Sequence, residues 1–253
     1  MATGPAGEVT HVSDHGGEDY LDVLARIHTV LKPRTYLEMG TWTGNSLKLA
    51  TCKSIAVDPH FQIASDVIGG KPECHFFQMV GDAFFRSHSP RQIFGETTDL
   101  AFLDSMHLFE FVLRDFINIE PHCARNSIIA LHDCLPTDVH IASRTNDPAE
   151  RERLSSTHPG WWTGDVWKML PILRKFRPDL TVVSLDAQPT GLVLITGLYP
   201  ESRVLRDRYY DIVQEFNAMT LLDYGVQKHL SEAGIVHTRR FERPQDFGPI
   251  FWL

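Results

Sequence analysis

The sequence predicts a single α/β domain whose central sheet is mostly parallel and ends in an antiparallel hairpin. Short apolar runs alternate with amphipathic segments along most of the 253 residues, which is the pattern of parallel strands joined by crossover helices. The last two apolar runs are separated only by residues 186–190. That connection is too short for a helical crossover, so these two strands should pair antiparallel.

The elements follow from the apolar runs in order. Seven strands are predicted at residues 35–39, 54–58, 74–79, 100–103, 127–131, 180–185 and 191–196. Helices on both faces of the sheet are predicted at residues 18–31, 45–50, 62–68, 91–94, 108–119, 164–176 and, as one long helical segment, 201–230. Pro33 supports the end of the first helix, because a residue before proline disfavours the helical conformation.

We expect residues 1–253 to form one domain. Its parts would be a helical lead-in, a core with an insertion, and a C-terminal helix and tail, at residues 1–34, 35–200 (insertion 137–163) and 201–253. The tail ends in the apolar Phe251-Trp252-Leu253. It should cover the core or contact a partner, and a homodimer would use this end of the chain.

Composition narrows the function classes. A formal net charge of -8 argues against a nucleic-acid partner, because neutralising phosphates needs a basic surface. No run approaches the roughly 20 apolar residues that span a bilayer, and the N-terminus lacks the blocks of a signal peptide. We therefore expect a cytoplasmic protein without a membrane partner. The four cysteines form no CxxC pair, which favours reduced thiols.

The turn after the first predicted strand carries the strongest functional signal. Gly40 and Gly44 permit a tight turn and close approach of a ligand to the backbone, at the carboxyl edge where α/β sheets bind ligands. Asp58 ends the next strand 20 residues after Glu38, where a carboxylate commonly accepts ribose hydroxyls. Together these residues indicate a nucleoside-bearing cofactor. Taken singly, each could be an ordinary turn residue.

The sequence of the turn narrows the choice among nucleoside-bearing cofactors. A dinucleotide fold favours G-x-G-x-x-G, and Trp42 stands where a middle glycine would be; a Walker loop is also absent. Leu37-Glu38-Met39-Gly40-Thr41-Trp42-Thr43-Gly44-Asn45-Ser46 is similar to the first motif of class I S-adenosylmethionine-dependent methyltransferases. It most resembles the E-x-G-x-x-x-G-x-S variant of the metal-dependent O-methyltransferases of the catechol, caffeoyl-CoA and macrolide-sugar types.

The resemblance covers about residues 37–133 and implies a Rossmann-like seven-stranded sheet with S-adenosyl-L-methionine as cofactor. The loop residues that it places around the methionine part are Glu38, Gly40, Thr41, Trp42, Gly44 and Ser46. It also implies that Asp58 binds the ribose, that Phe61 flanks the adenine and that Asp82 contacts the adenine amino group. Spacing alone would equally allow Asp82 to be a turn or helix-cap residue.

Two carboxylates end neighbouring strands of the resembled fold. Asp104 and Asp133 each follow an apolar run and would lie about 4.8 Å apart across the sheet, so both could hold Mg²⁺. His107 would then take the hydroxyl proton, and D-x-x-H matches the macrolide-sugar type. The catechol type has Asp-Asn at the second metal position and the macrolide-sugar type has an acid before its aspartate, whereas the triplet here is His132-Asp133-Cys134. The third ligand would therefore be His132 or water. His132 could instead support a metal ligand from outside the coordination sphere, or favour a transition metal.

Alternatives stay open for these residues. Asp104 could instead contact the cofactor or be a structural acid without metal, and His107 could be a helix-start histidine. Trp161, Trp162 and Asp165 follow the polar insertion and could bind the acceptor, although Asp165 also suits a first helical turn.

The sequence therefore predicts O-methylation of a hydroxyl on a small molecule or natural-product sugar, assisted by a divalent metal. The alternatives are a nicotinamide-dependent oxidoreductase and a non-catalytic cofactor-binding module.

Overall fold

The computed structural model describes residues 2–3, 9–145, 147, 149 and 157–253. The strands are β1 (Ala2–Thr3), β2 (Val9–His11), β3 (Thr35–Met39), β4 (Lys53–Val57), β5 (Cys74–Phe77), β6 (Thr98–Leu103), β7 (Cys123–His132), β8 (Thr181–Leu185) and β9 (Leu192–Thr196). Strands β1 and β2 form a small antiparallel pair, which the sequence did not predict. The other seven form one sheet in the order β5-β4-β3-β6-β7-β9-β8.

The α-helices are α1 (Tyr20–Leu31), α2 (Gly81–Ser87), α3 (Pro90–Phe94), α4 (Phe109–Ile119), α5 (Met169–Phe176), α6 (Val204–Asp207), α7 (Tyr209–Phe216), α8 (Leu221–Tyr224), α9 (Val226–Ala233) and α10 (Pro244–Phe247). Short 3₁₀ turns occur at Leu47–Leu49, Glu120–His122, Val166–Lys168 and Thr238–Phe241. No helix in the described part of the chain combines the length and apolar character that crossing a bilayer requires.

All seven predicted strands of the main sheet are present, and the fold class is confirmed. Strands β3 to β7 pair in parallel, whereas β9 runs antiparallel to both β7 and β8. The switch follows from the short connection between β8 and β9, which leaves no room for a crossover.

The sheet is covered on both faces. Alternate residues of β3 face opposite sides, so Leu37 and Met39 join one buried cluster and Tyr36 joins the other. Helices α4 and α5 cover the first face, and helix α1 covers the second together with the C-terminal tail.

Three predicted helices are wrong. Residues 45–50 form only the Leu47–Leu49 turn, because Ala50 already has extended backbone angles and the Ser46 side chain makes no capping hydrogen bond. Residues 62–68 are irregular, and the Asp66 carboxylate accepts the backbone N–H groups of Ile68 and Gly69 at 3.0 Å, in competition with a helix.

The long C-terminal helix is also wrong, because it is divided into helices α6 to α9. The Thr220 side chain accepts a hydrogen bond from Asp223 N and starts helix α8. Gly225 then adopts a φ of 91°, which ends that helix and lets α9 begin in a new direction.

The tail covers the protein's own core. Phe241, Phe247 and Phe251 are each 1% exposed and pack together, with the ring centroids of Phe241 and Phe247 5.2 Å apart. The structure thus bears out this part of the prediction, whereas a homodimer stays a prediction. The four cysteines are free thiols, as predicted.

We expect Phe247→Ala to destabilise the fold by about 3–5 kcal/mol, the range for removing a buried phenylalanine ring. Trp252 is 59% exposed, so Trp252→Ala is the matched control and should cost far less. Urea denaturation of both variants measures the difference. Equal effects on the free energy of unfolding would show that the tail does not stabilise the core in this way.

Candidate active site

The carboxyl ends of β3 and β6 meet at Gly40 and Asp104. Gly40 has a φ of +86°, and a Cβ atom there would lie 2.2 Å from the Asp104 carbonyl oxygen. Gly40 N donates to Val57 O and Asp104 N donates to Met39 O, both at 2.9 Å. This contact requires a residue without a side chain, which is the physical reason for glycine at position 40.

Asp58 organises the loop that follows Gly40. Its Oδ2 accepts the N–H of Trp42 at 2.7 Å and its Oδ1 accepts the N–H of His60 at 2.6 Å. Trp42 has a φ of 42°, which is strained for a bulky residue, and its side chain is 61% exposed. A carboxylate oxygen can accept more than one hydrogen bond, so Asp58 can still receive ribose hydroxyls.

Glu38 lies beneath the same loop. The Tyr36 hydroxyl donates to Glu38 Oε2 at 2.5 Å, and the carboxyl is fully buried. Burial raises the pKa of Glu38 to about 7, although the hydroxyls of Tyr36, Thr41 and Ser46 act to lower it. This environment makes Glu38 a support for the loop.

Two cavities open at this edge of the sheet. The first, of about 430 Å³, is lined by Met39, Gly40, Trp42, Val57, Asp58, Pro59, Met79, Val80, Gly81, Asp82, Asp104, Ser105, Met106, His107, Phe111 and Asp115. The second, of about 440 Å³, has walls that include Tyr20, Trp161, Trp162, His132, Asp133, Pro189 and Thr190. Gly40, Trp42, Asp104 and His107 line both, so the two cavities adjoin at these residues.

The residues predicted to bind the cofactor are distributed between the two cavities. Gly40, Trp42, Asp58, Asp82 and Asp104 line the first cavity, and Thr41 and Ser46 line the second. Three predicted residues line neither: Glu38, Gly44 and Phe61.

The structure gives two of these three residues packing roles. A Cβ atom on Gly44 would lie 2.6 Å from Val67 Cγ1, so close packing explains this glycine. Phe61 packs against Phe76 with ring centroids 5.6 Å apart. These contacts explain Gly44 and Phe61 by packing, and the cofactor contacts of Glu38, Gly44 and Phe61 stay predictions.

Sequence reasoning missed several residues that line the first cavity. Met79 and Val80 lie two and three residues after the end of β5, at the carboxyl edge of the sheet, a position that could have signalled them. Asp115 lies within helix α4, and no motif marked it.

Two carboxylates and two histidines converge where the cavities meet. Donor atoms of Asp104, His107 and Asp133 lie within 4.8 Å of one another. His132 Nδ1 lies 3.2 Å from Asp104 Oδ1 and 3.4 Å from Asp133 Oδ1. The Thr190 hydroxyl donates to Asp133 Oδ1 at 2.5 Å. The structure therefore brings together all four residues that the sequence singled out for metal binding and proton transfer.

The electrostatics of this cluster are strongly coupled. Burial would lower the pKa of His107, but the charges of Asp133 and Asp104 raise it to about 9. The same two carboxylates raise the pKa of His132 above its ordinary value against its burial. Burial would raise the pKa of Asp104, yet His132 and His107 lower it. The paired carboxylates thus stabilise positive charge in their neighbourhood.

Aromatic side chains hold both histidines. The Trp162 carbonyl lies 2.6 Å from His107 Nδ1 and accepts a hydrogen bond from its N–H, which leaves Nε2 as the basic nitrogen. The Trp162 ring also stacks on His107, with centroids 5.1 Å apart. On the other side, the Tyr20 ring lies 4.1 Å from the His132 ring. Trp162 is thus at the site, as predicted.

Asp165 is not at the site. Its carboxylate accepts hydrogen bonds from Phe109 N at 2.9 Å, from Lys168 Nζ at 2.8 Å and from Arg144. It is buried and lines neither of the two cavities. Asp165 therefore joins helix α4 to the segment before α5, and we reassign it from acceptor binding to packing.

The sheet order, with two cavities at the carboxyl edge, is that of a Rossmann-like domain. Residues 37–134 match a family model described as a methyltransferase domain. The matched stretch is less than half of the chain, so it shows a similarity to methyltransferase domains, and the nicotinamide-dependent alternative is not favoured.

Solved structures give further similarities. An O-methyltransferase from Bacillus cereus in complex with SAH is 12% identical, with 75% of this chain and 84% of that chain covered and a TM-score of 0.48. The SAH-bound methyltransferase PaMTH1 from Podospora anserina is 14% identical, with 70% and 77% covered and a TM-score of 0.46. The SAM-bound O-methyltransferase TomG from Streptomyces achromogenes is 13% identical, with 70% and 78% covered and a TM-score of 0.46. No curated protein matches the chain.

We expect Gly40→Ala to abolish or strongly weaken binding of S-adenosylhomocysteine, because the added methyl group would collide with the Asp104 backbone. Gly70→Ala is the matched control, since a Cβ atom there meets nothing within 4 Å. Calorimetric titration of both variants measures the affinity. Unchanged affinity in a folded Gly40→Ala variant would contradict the close approach described above.

Proposed function

We propose that this enzyme transfers the methyl group of S-adenosyl-L-methionine to a hydroxyl of a small-molecule acceptor, with help from a divalent cation. The observation that carries the proposal is the junction of the two cavities at Asp104 and His107. A cofactor in one cavity and an acceptor in the other would face each other across these residues. In-line methyl transfer requires such an arrangement.

The first cavity suits the cofactor. Asp58 is placed for ribose hydroxyls, at the end of β4. Met79 and Val80 offer an apolar surface to the adenine, and Gly40 allows close approach to bare backbone. When bound, this cofactor supplies a methyl group already activated on a sulfonium, so the protein's contribution is mainly alignment and electrostatics.

The acid–histidine cluster fits a divalent cation. Asp104 and Asp133 would provide oxygen ligands, which Mg²⁺ prefers. His132 would be a third donor, since its Nδ1 faces both carboxylates, and a nitrogen ligand would also suit a transition metal. Such a cation would lower the pKa of a hydroxyl group bound to it.

His107 is the residue that we assign as general base. Its Nδ1 proton is held by the Trp162 carbonyl, so Nε2 is available to accept the hydroxyl proton. Neutralising the nearby carboxylates with a cation would remove the attraction that raises the pKa of His107, and so would favour the neutral imidazole. The interaction with Trp162 keeps the ring in one orientation, as in other histidine bases.

The second cavity suits an acceptor with a ring. Tyr20, Trp161 and Trp162 form flat walls beside Asp133 and His132. Aromatic walls of this kind stack on sugar or phenolic rings, while a few polar groups orient their hydroxyls. We therefore propose a hydroxylated small molecule, such as a natural-product sugar, as the acceptor.

One set of titrations tests the cofactor and the metal separately. The wild-type chain should bind S-adenosylhomocysteine even after EDTA treatment, because the ribose and adenine walls lie away from Asp133. Asp133→Asn should keep this binding but weaken Mn²⁺ or Mg²⁺ binding more than about tenfold, since it removes a ligand charge. The control is Asp211→Asn, which changes an exposed acid on helix α7.

The outcomes are distinct. Failure of the wild-type chain to bind S-adenosylhomocysteine would overturn the proposed function. Equal metal binding by wild type and Asp133→Asn, or full methyl transfer after exhaustive EDTA treatment, would remove the metal and leave the cofactor.

A further inference from the structure

Asp115 is a buried acid in the wall of the first cavity. It lies on helix α4 and is 5% exposed. None of the roles assigned above uses it. A carboxyl group is costly to bury without partners, so its contacts are informative.

Only one oxygen of Asp115 has a hydrogen-bond partner in the described part of the chain. The Ser105 hydroxyl donates to Asp115 Oδ2 at 2.7 Å. At Oδ1 the neighbour is Gly81, where an added Cβ atom would lie 2.3 Å away. Glycine at the start of helix α2 thus lets the backbone pass close to Oδ1, and this oxygen can still accept a hydrogen bond.

Asp82 is the competing acid in the same cavity, and its situation is different. Its side chain is 35% exposed, and its Oδ2 pairs with Arg114 Nη2 at 2.9 Å. A partly exposed carboxylate that already has a cationic partner needs a further donor less than a buried carboxyl group does. Asp115, in contrast, is buried. Burial raises its pKa to about 7, although the Ser105 hydroxyl acts to lower it.

The surroundings of Asp115 suit a flat heterocycle. Met79, Val80 and Phe111 line the same cavity and offer apolar surface, whereas Asp115 adds a hydrogen-bond acceptor. In adenine, the exocyclic amino group is the hydrogen-bond donor of the base once N9 carries the ribose. A buried acceptor in an apolar slot is how proteins distinguish a donor from an acceptor on otherwise identical rings.

We infer that Asp115 is the residue that recognises the adenine ring of the cofactor, by accepting a hydrogen bond from its exocyclic amino group. This inference rests on the proposed function. Ser105 positions the carboxyl from the other side, directly after Asp104 in the chain. Adenine recognition and the acid–histidine cluster are therefore joined through one short loop at the end of β6.

The test compares S-adenosylhomocysteine with S-inosylhomocysteine, which has an oxo group in place of the amino group. Calorimetric titration of the wild-type chain at about pH 9, where a carboxyl with a pKa of about 7 is ionised, should show at least about a tenfold preference for the adenosyl compound, the effect of one hydrogen bond to a charged acceptor. In Asp115→Asn the preference should approach one, because an amide can turn either its oxygen or its nitrogen towards the base. Asp211→Asn is the control for a remote loss of charge.

Three results would overturn the inference. One is equal binding of the two compounds by the wild-type chain, a comparison that needs no variant to fold. Another is an Asp115→Asn variant that melts normally and keeps the preference, and a third is loss of the preference in Asp82→Asn instead. If the wild-type chain binds neither compound, the proposed function fails first and the inference fails with it.

Discussion

The active site depends on the register of three central strands. Strands β3, β6 and β7 pair so that Met39, Leu103 and Leu131 lie side by side. The next residue of each strand therefore emerges at the same edge, about 4.8 Å from its neighbour. A slip of one residue would exchange the two faces of a strand. Because both faces are buried, that slip would disrupt the core and the site together.

The same edge concentrates charge that the fold must balance. Asp104 and Asp133 are held close together, and the side chains of His107 and His132 lie within ion-pair distance of these carboxylates. Asp133 has a φ of 61°, a conformation that costs energy and persists where surrounding contacts hold it. Thr190 supplies one such contact. Such a site favours positive charge nearby, which supports the proposal of a divalent cation and of a cofactor that carries a sulfonium.

The sequence predicted the sheet well because strand position and chemistry coincide there. An apolar run that ends in an acid gives both the strand and the site residue, so Asp58 could be found from spacing, and Asp104 and Asp133 from the apolar runs together with the resemblance. Residues whose role depends on three-dimensional packing could not. Asp115 reaches the cavity from the middle of a helix, and Tyr20 reaches His132 from the start of helix α1.

The wrong assignments have the same origin. Asp165 satisfied a plausible pattern, yet its carboxylate forms hydrogen bonds with Lys168, Arg144 and a backbone N–H.

We propose that the cation held by the acid–histidine cluster and the transferred methyl group lie at one junction. Paramagnetic broadening by Mn²⁺ of the ¹³C-labelled methyl signal of bound S-adenosyl-L-methionine tests it most directly. We expect strong broadening that is lost in Asp133→Asn, whereas an unbroadened signal with both ligands bound would show that the two sites lie apart.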